Sequence, residues 1–143
     1  MTERKPLTIA DYPLAEKRPD LVRTRRQKTL DDITLAAIES GDAILEDIRI
    51  TPTALLQQAE IAEAAGRPMM ARNFERAADI VDVPQDVVLK TYELLRPGRA
   101  KSKADLLEAA KLLRETYRAE RMAAFIEEAA EVYERRGLFT FRF

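Results

Sequence analysis

The chain has 143 residues, with 24 Lys and Arg against 25 Asp and Glu, and contains neither cysteine nor histidine. That length suits one domain with a real core, and the missing cysteines exclude a disulfide framework, a zinc–thiolate site, an iron–sulfur cluster and a thiol nucleophile. The missing histidines remove the usual general base near neutral pH, the Ser–His nucleophilic pair and the commonest metal ligand.

Charge is unevenly spread along the chain. Residues 1–28 carry eight Lys and Arg against four acids, whereas residues 29–66 carry one arginine against eight acids. The basic leading segment contains Pro13 and Pro19 and offers no basic helix to a groove, so it reads as protein docking or solvated charge rather than nucleic-acid contact. Each proline disfavours helix at the residue before it, Tyr12 and Arg18. TIADYPLAEKRPDLV is therefore expected to run as an extended arm. Its Ile9, Tyr12, Leu14, Leu21 and Val22 need a surface, which is either the chain's own helices or a partner across which the arm is strapped.

Helical signals begin at Thr29. TLDDITLAAIESG supplies Thr29 or Thr34 as N-cap, Leu35 and Ile38 as a short apolar stripe and Gly41 as a stop. DAILEDIRI allows one further turn. TPTALLQQAEIAEAAG opens with Thr51 as N-cap and Pro52 at the first helical position, continues through Leu55, Leu56, Ala59, Ala62 and Ala65, and closes at Gly66. Pro68 starts the next helix, with Met70, Phe74, Ala77, Ala78 and Val81 at helical spacing. Pro84 opens a third, with Val87, Val88, Leu89, Tyr92 and Leu95, and Pro97-Gly98 ends it. These three predict an antiparallel helical stack joined by loops of about two to four residues. All four glycines fall where helices end, which leaves none for a phosphate-cradling loop.

SKADLLEAAKLLRETYRAERMAAFIEEAAEVYERRG reads as one long helix from Lys103 to Arg136, roughly 50 Å at about 1.5 Å per residue. Ser102 and Asp105 form a capping box, and Gly137 lies just past the end. Its apolar line of Leu106, Ala110, Leu113, Tyr117, Ala124 and Val132 is interrupted near Arg121 and Glu128. The tail GLFTFRF alternates apolar and polar residues, which suits a short strand. Its Phe139, Phe141 and Phe143 need an apolar groove to cover.

RNFERAAD, Arg72 to Asp79, is the most polar cluster. Arg72, Glu75, Arg76 and Asp79 share one broad helical face. The two guanidiniums could grip a phosphate or carboxylate, or pair along the helix with Glu75 and Asp79. Phe74 falls on the core stripe. Asn73 is unfavourable in a helix interior and has no local explanation. With no nucleophile or base nearby, the cluster reads as a docking face rather than a catalytic one.

The chain resembles the small (gamma) subunit of adenosylcobalamin-dependent diol and glycerol dehydratases. The match runs through DYPLA (Asp11–Ala15), KTLDDITL (Lys28–Leu35), IRIT (Ile48–Thr51) and QAEIAEAAGR (Gln58–Arg67). It continues through ARNFERAAD (Ala71–Asp79), VPQDVVLKTYELLRP (Val83–Pro97) and AAFIEEAAEVYERR (Ala123–Arg136). The resemblance implies a mostly helical subunit in a complex of large, medium and small subunits, a dimer of such trimers. It also implies substrate and metal ion in the TIM barrel of the large subunit, with cobalamin between the large and medium subunits. The small subunit of that family supplies no catalytic residue and binds chiefly to the large one. Members associated with shell-bounded microcompartments often carry a longer extension ahead of DYP. Only ten residues precede Asp11 here, which points away from encapsulation. The phenylalanine-rich tail also departs from the polar, lysine-rich ends of the family.

The expectation is thus an all-α protein. An extended arm (residues 1–28) precedes a small helical domain (29–137) with a long C-terminal helix, and an apolar tail follows (138–143). No apolar run is long enough for a membrane helix and no leader resembles a signal peptide, so a cytoplasmic enzyme is expected. It would act on propanediol or glycerol, with adenosylcobalamin held by the large and medium subunits and without nucleic acid or membrane as partner. No catalytic, cofactor-binding or metal-binding residue is assigned to this chain. The candidate subunit-interface residues are Tyr12, Pro13, Leu14, Arg49, Arg72, Asn73, Arg76 and Arg96. A free-standing helical adaptor is the alternative reading.

Overall fold

The computed structural model describes residues 4–140, which form helices and turns and no strand. The all-α expectation holds. The chain divides into two compact units, residues 1–78 and 79–143.

In the first unit the arm is not extended. It folds into a 3-10 turn at Ile9–Asp11, a single helical turn α1 (Leu14–Lys17) and a second 3-10 turn at Pro19–Leu21. The prolines still act as expected, because each stands at the start of a turn rather than inside one. Another 3-10 turn (Leu30–Asp32) and the short helices α2 (Leu35–Ser40) and α3 (Leu45–Ile48) lead to α4 (Pro52–Ala64) and α5 (Pro68–Ile80), whose last two residues belong to the second unit. Thr34 caps α2 and Thr51 caps α4, each hydroxyl accepting a backbone N–H three residues on. Gly41 and Gly66 end their helices at positive φ, where a side chain would be strained.

Two small cores hold this unit. Leu7 and Leu14 are buried against Ile61 of α4, with Leu21 and Val22 packed beside them. The arm therefore wraps the chain's own helix, and for these side chains the strap across a partner is ruled out. Ile9 and Tyr12 point away from that core and stay exposed. The second core joins Ala59 and Ala62 of α4 to Ala71 and Phe74 of α5. Phe74 is a packing residue, as its position on the stripe required.

The second unit corrects the long helix. Lys103–Arg136 is not one rod but two helices, α7 (Lys103–Tyr117) and α8 (Glu120–Arg136), packed antiparallel after α6 (Gln85–Leu95). The chain reverses at Arg118, which adopts φ 56 in the left-handed region. Leu106, Ala110 and Leu113 of α7 meet Ala119, Ala123, Ile126 and Ala130, all nearly or fully buried. Ion pairs from Lys103 to Glu131 (2.6 Å) and Glu134 (2.8 Å) close the open end of the hairpin, tying the start of α7 to the last turns of α8. Val83, Val87 and Val88 complete this core, and the Tyr133 hydroxyl donates to the carbonyl of Leu95.

The tail expectation also changes. Leu138 to Thr140 form a turn, not a strand. Phe139 is half-buried and lies 6.2 Å from the Tyr133 ring, so it covers the chain's own core. Phe141 and Phe143 lie outside the described residues.

Candidate subunit interface

The RNFERAAD face is split by the fold. Arg72 Nη1 bonds Glu75 at 3.1 Å and its Nη2 lies 3.8 Å from Glu63 on α4. Arg76 donates to the Asn73 side-chain oxygen at 2.6 Å. That contact accounts for an asparagine in mid-helix: its amide oxygen fixes a guanidinium one turn later. Asp79 does not join its neighbours. Its carboxylate accepts the backbone N–H groups of Arg121 (2.7 Å) and Met122 (3.2 Å) and pairs with the Arg121 guanidinium at 2.8 Å. Asp79 therefore caps the first turn of α8, where a negative charge is favoured by the helix dipole. The expected pairing of Asp79 along its own helix is replaced by this long-range cap.

The remaining candidates fall into separate places. Tyr12, Pro13 and Leu14 border a cleft of about 870 Å³ that also includes Arg23, Gln57 and Gln58. Tyr12 is exposed and Pro13 half-buried, whereas Leu14 faces inward as a core residue. Arg72 borders a second cleft of about 590 Å³ with Leu7, Glu60, Glu63 and Glu75. Arg49 lines a third, of about 280 Å³, between Leu30, Ile33 and Ile48. Arg96 belongs to the second unit, where it pairs with Glu93 at 3.2 Å. All of the candidate arginines are exposed or half-buried.

Sequence reasoning passed over two polar anchors in the first unit. Glu60 on α4 accepts the Leu7 N–H at 2.8 Å and pairs with Arg4 at 2.7 Å, clamping the arm to the helix that buries it. Asp47 has a side chain with no exposed surface. It accepts from Thr24 Oγ1 (3.0 Å), Arg26 Nη1 (2.8 Å) and the Ile44 N–H (3.0 Å). The Ile44 N–H is the main reason its carboxyl is held below the ordinary value, and Thr24 and Arg26 add to it. Glu60 has no local signature, because its partners lie more than fifty residues away. For Asp47 only the contact to the Ile44 N–H, at the start of α3, is local, while Thr24 and Arg26 are distant in sequence.

The electrostatics share one direction. Asp11 is lowered chiefly by the Thr8 backbone N–H and then by Arg18, and Glu127 by Arg114. Arg114 is raised by Glu127 and Glu120. Lys103 is raised by Glu131 and Glu134. Each such shift stabilises the charged form. A general acid or base at neutral pH requires shifts of the opposite sense. These groups are ion-pair fasteners. Among the described residues no group of three or more Asp or Glu converges to hold a metal ion.

The comparisons agree with a chain built for assembly. A family model described as dehydratase small subunit matches residues 7–140. The chain is 48% identical over 125 residues to the propanediol dehydratase small subunit of Citrobacter freundii, which covers 87% of this chain and 72% of that relative. The propanediol dehydratase small subunit of Salmonella typhimurium (strain LT2) matches with the same identity and coverage. Residues 7–140 include the arm and both compact units, so the relationship spans the described structure nearly end to end. The chain belongs to the dehydratase small-subunit family.

Proposed function

We propose that this chain is the non-catalytic small subunit of an adenosylcobalamin-dependent diol dehydratase, stabilising the complex by binding the large subunit. The enzyme would be a carbon–oxygen lyase that converts 1,2-propanediol or glycerol into the corresponding aldehyde and water. A small subunit of a dehydratase belongs to a multi-subunit complex, and the assembly we infer is a dimer of large–medium–small heterotrimers in the cytoplasm. The observation that carries the non-catalytic reading is a chain with neither His nor Cys whose enclosed carboxylate, Asp47, is taken up by Thr24, Arg26 and the Ile44 N–H. Nothing in that arrangement is poised to exchange a proton with a substrate.

Adenosylcobalamin, when bound, supplies the radical that starts the reaction. The reading places it in the partner subunits rather than in this chain. One cleft is bordered by Glu60, Glu63 and Glu75, which would face the anionic phosphate of a corrinoid nucleotide. In the larger cleft Arg4 is engaged by Glu60, and Arg25 lies 3.4 Å from Glu46. The role proposed for the chain is to hold other subunits in place.

Co-expression of all three subunits with an aldehyde assay on both diols tests the reading. Omitting this chain should reduce the yield and lifetime of active complex. Full activity and stability without it would overturn the proposal. Calorimetric titration of the chain alone with adenosylcobalamin or either diol should give no binding. Micromolar affinity for any of them would refute the division of labour.

A further inference from the structure

The described residues bury three polar side chains, Asp47, Gln57 and Thr91. Two of them are satisfied. Asp47 gathers Thr24, Arg26 and the Ile44 N–H, and the Thr91 hydroxyl donates to the Val87 carbonyl at 2.9 Å. Gln57 on α4 is the exception. It is 7% exposed, and its carboxamide bonds nothing among the described residues. A buried amide without partners is unfavourable and is accounted for by a ligand. The group is not sealed inside the chain, because Gln57 borders the cleft between the arm and α4.

That cleft, of about 870 Å³, lies wholly within the first unit. It follows α4 from Pro52 to Gln58, with Pro13, Leu14, Leu21 and Val22 of the arm as its apolar wall. The helical stretch is roughly 9 Å long at about 1.5 Å per residue, which matches about three residues of extended chain at about 3.3 Å each. The charge on the lining is that of one unanswered cation. Asp20, the one carboxylate there, is held by Arg18 through bonds of 3.1 and 3.0 Å. Arg4 is taken by Glu60 at 2.7 Å, and Arg25 lies 3.4 Å from Glu46. Arg23 is exposed, and its Nε reaches the Asp20 carbonyl at 3.4 Å. Its terminal nitrogens meet no carboxylate among the described residues.

A carboxamide sets a donor beside an acceptor, the complement of a peptide group. A guanidinium offers paired donors to one carboxylate. A single uncommitted arginine balances one carboxylate, whereas a phosphate ester would bring about 1.5–2 negative charges. We propose that this cleft binds an extended acidic peptide segment of a partner protein. A backbone amide of the segment pairs with Gln57, a carboxylate pairs with Arg23, and apolar side chains lie against the arm. Any partner chain presenting such a segment would satisfy the site, so it stands or falls separately from the dehydratase reading.

The test is an NMR titration of the isotopically labelled full chain, following the Gln57 side-chain amide and the Arg23 Nε–H. The probe is an end-blocked pentapeptide with aspartate at its centre and leucine at both ends, taken to millimolar concentration. It should shift both signals and saturate. The same peptide with lysine at its centre should shift neither, and acetate should move Arg23 alone. Gln57→Leu, which keeps the bulk of the side chain, and Arg23→Gln, at an exposed position, should each weaken the peptide about tenfold. Arg23→Gln keeps the test decisive if Gln57→Leu fails to fold. No saturable shift at Gln57, an equal shift with the lysine peptide, or unchanged affinity in Arg23→Gln would overturn the site. Acetate or adenosine monophosphate moving Gln57 as strongly as the peptide does would assign the cleft to a small anion and overturn the proposal.

Discussion

Asp47 shows how a single side chain sets the surface around it. Its carboxylate is fully enclosed and satisfied by three donors, two from Thr24 and Arg26 and one from the Ile44 N–H at the start of its own helix. Removing it would leave the Arg26 and Thr24 donors without their acceptor and release the start of α3. Asp47→Ala should lower the melting temperature by several degrees and raise amide exchange around Thr24–Ile50. Asp47→Asn should lie between it and the wild type, because an amide retains an acceptor but not the charge. Unchanged exchange in the alanine variant would remove Asp47 as the anchor of that segment. Asn73 is the converse case, since its one contact is local and exposed.

Two elements carry energetic consequences that the helical pattern alone did not. The arm buries Leu7 and Leu14 on α4, and fully burying such side chains contributes about 1.5–3 kcal/mol each. Deleting residues 1–22 should therefore destabilise the chain by about 3–6 kcal/mol, read as a lower melting temperature by circular dichroism. An unchanged melt would restore the strap across a partner. The α7–α8 reversal depends on Arg118 in the left-handed region, where a residue with a Cβ is strained by about 1–2 kcal/mol. Arg118→Gly should remove that strain and stabilise the chain by about 0.5–1 kcal/mol, measured by urea denaturation. A loss of stability would mean that the Arg118 side chain contributes more than its backbone costs.

Across the molecule, the ionised groups predict one pH profile. Asp11 and Asp47 are lowered from 3.8 and Glu127 from 4.5, because backbone N–H groups or Arg114 favour the carboxylate. A group whose folded value is depressed contributes stability that is present above its unfolded value and lost as pH falls through the folded one. Lys103, raised from 10.5 by Glu131 and Glu134, contributes below that value and loses its contribution as pH rises through the folded one. With no histidine between these limits, thermal stability should be flat from about pH 5.5 to 9 and fall below about pH 4. Melts across that range check it, and a marked decline between pH 7 and pH 5.5 would contradict the assignment of the titrating groups.

Local rules sufficed for much of this chain. The caps at Thr34, Thr51 and Ser102, the stops at Gly41, Gly66 and Gly137, and the exclusion of thiol and imidazole chemistry all follow from neighbouring residues or from composition. The hairpin was legible only as a phase slip. After Leu113 a straight helix would carry its apolar line through Tyr117 to Arg121 and Glu128, whereas a shift of two residues gives Ala119, Ala123, Ile126 and Ala130. No proline or glycine marks the slip, so the left-handed Arg118 was invisible to rules about helix breakers. Among the candidate interface residues, Leu14 lies inward, on the chain's own core. Periodicity tells which side chains share a face, but not which face another part of the chain will cover. Whether Leu14 is core depends on Ile61, a residue brought near by folding rather than by sequence.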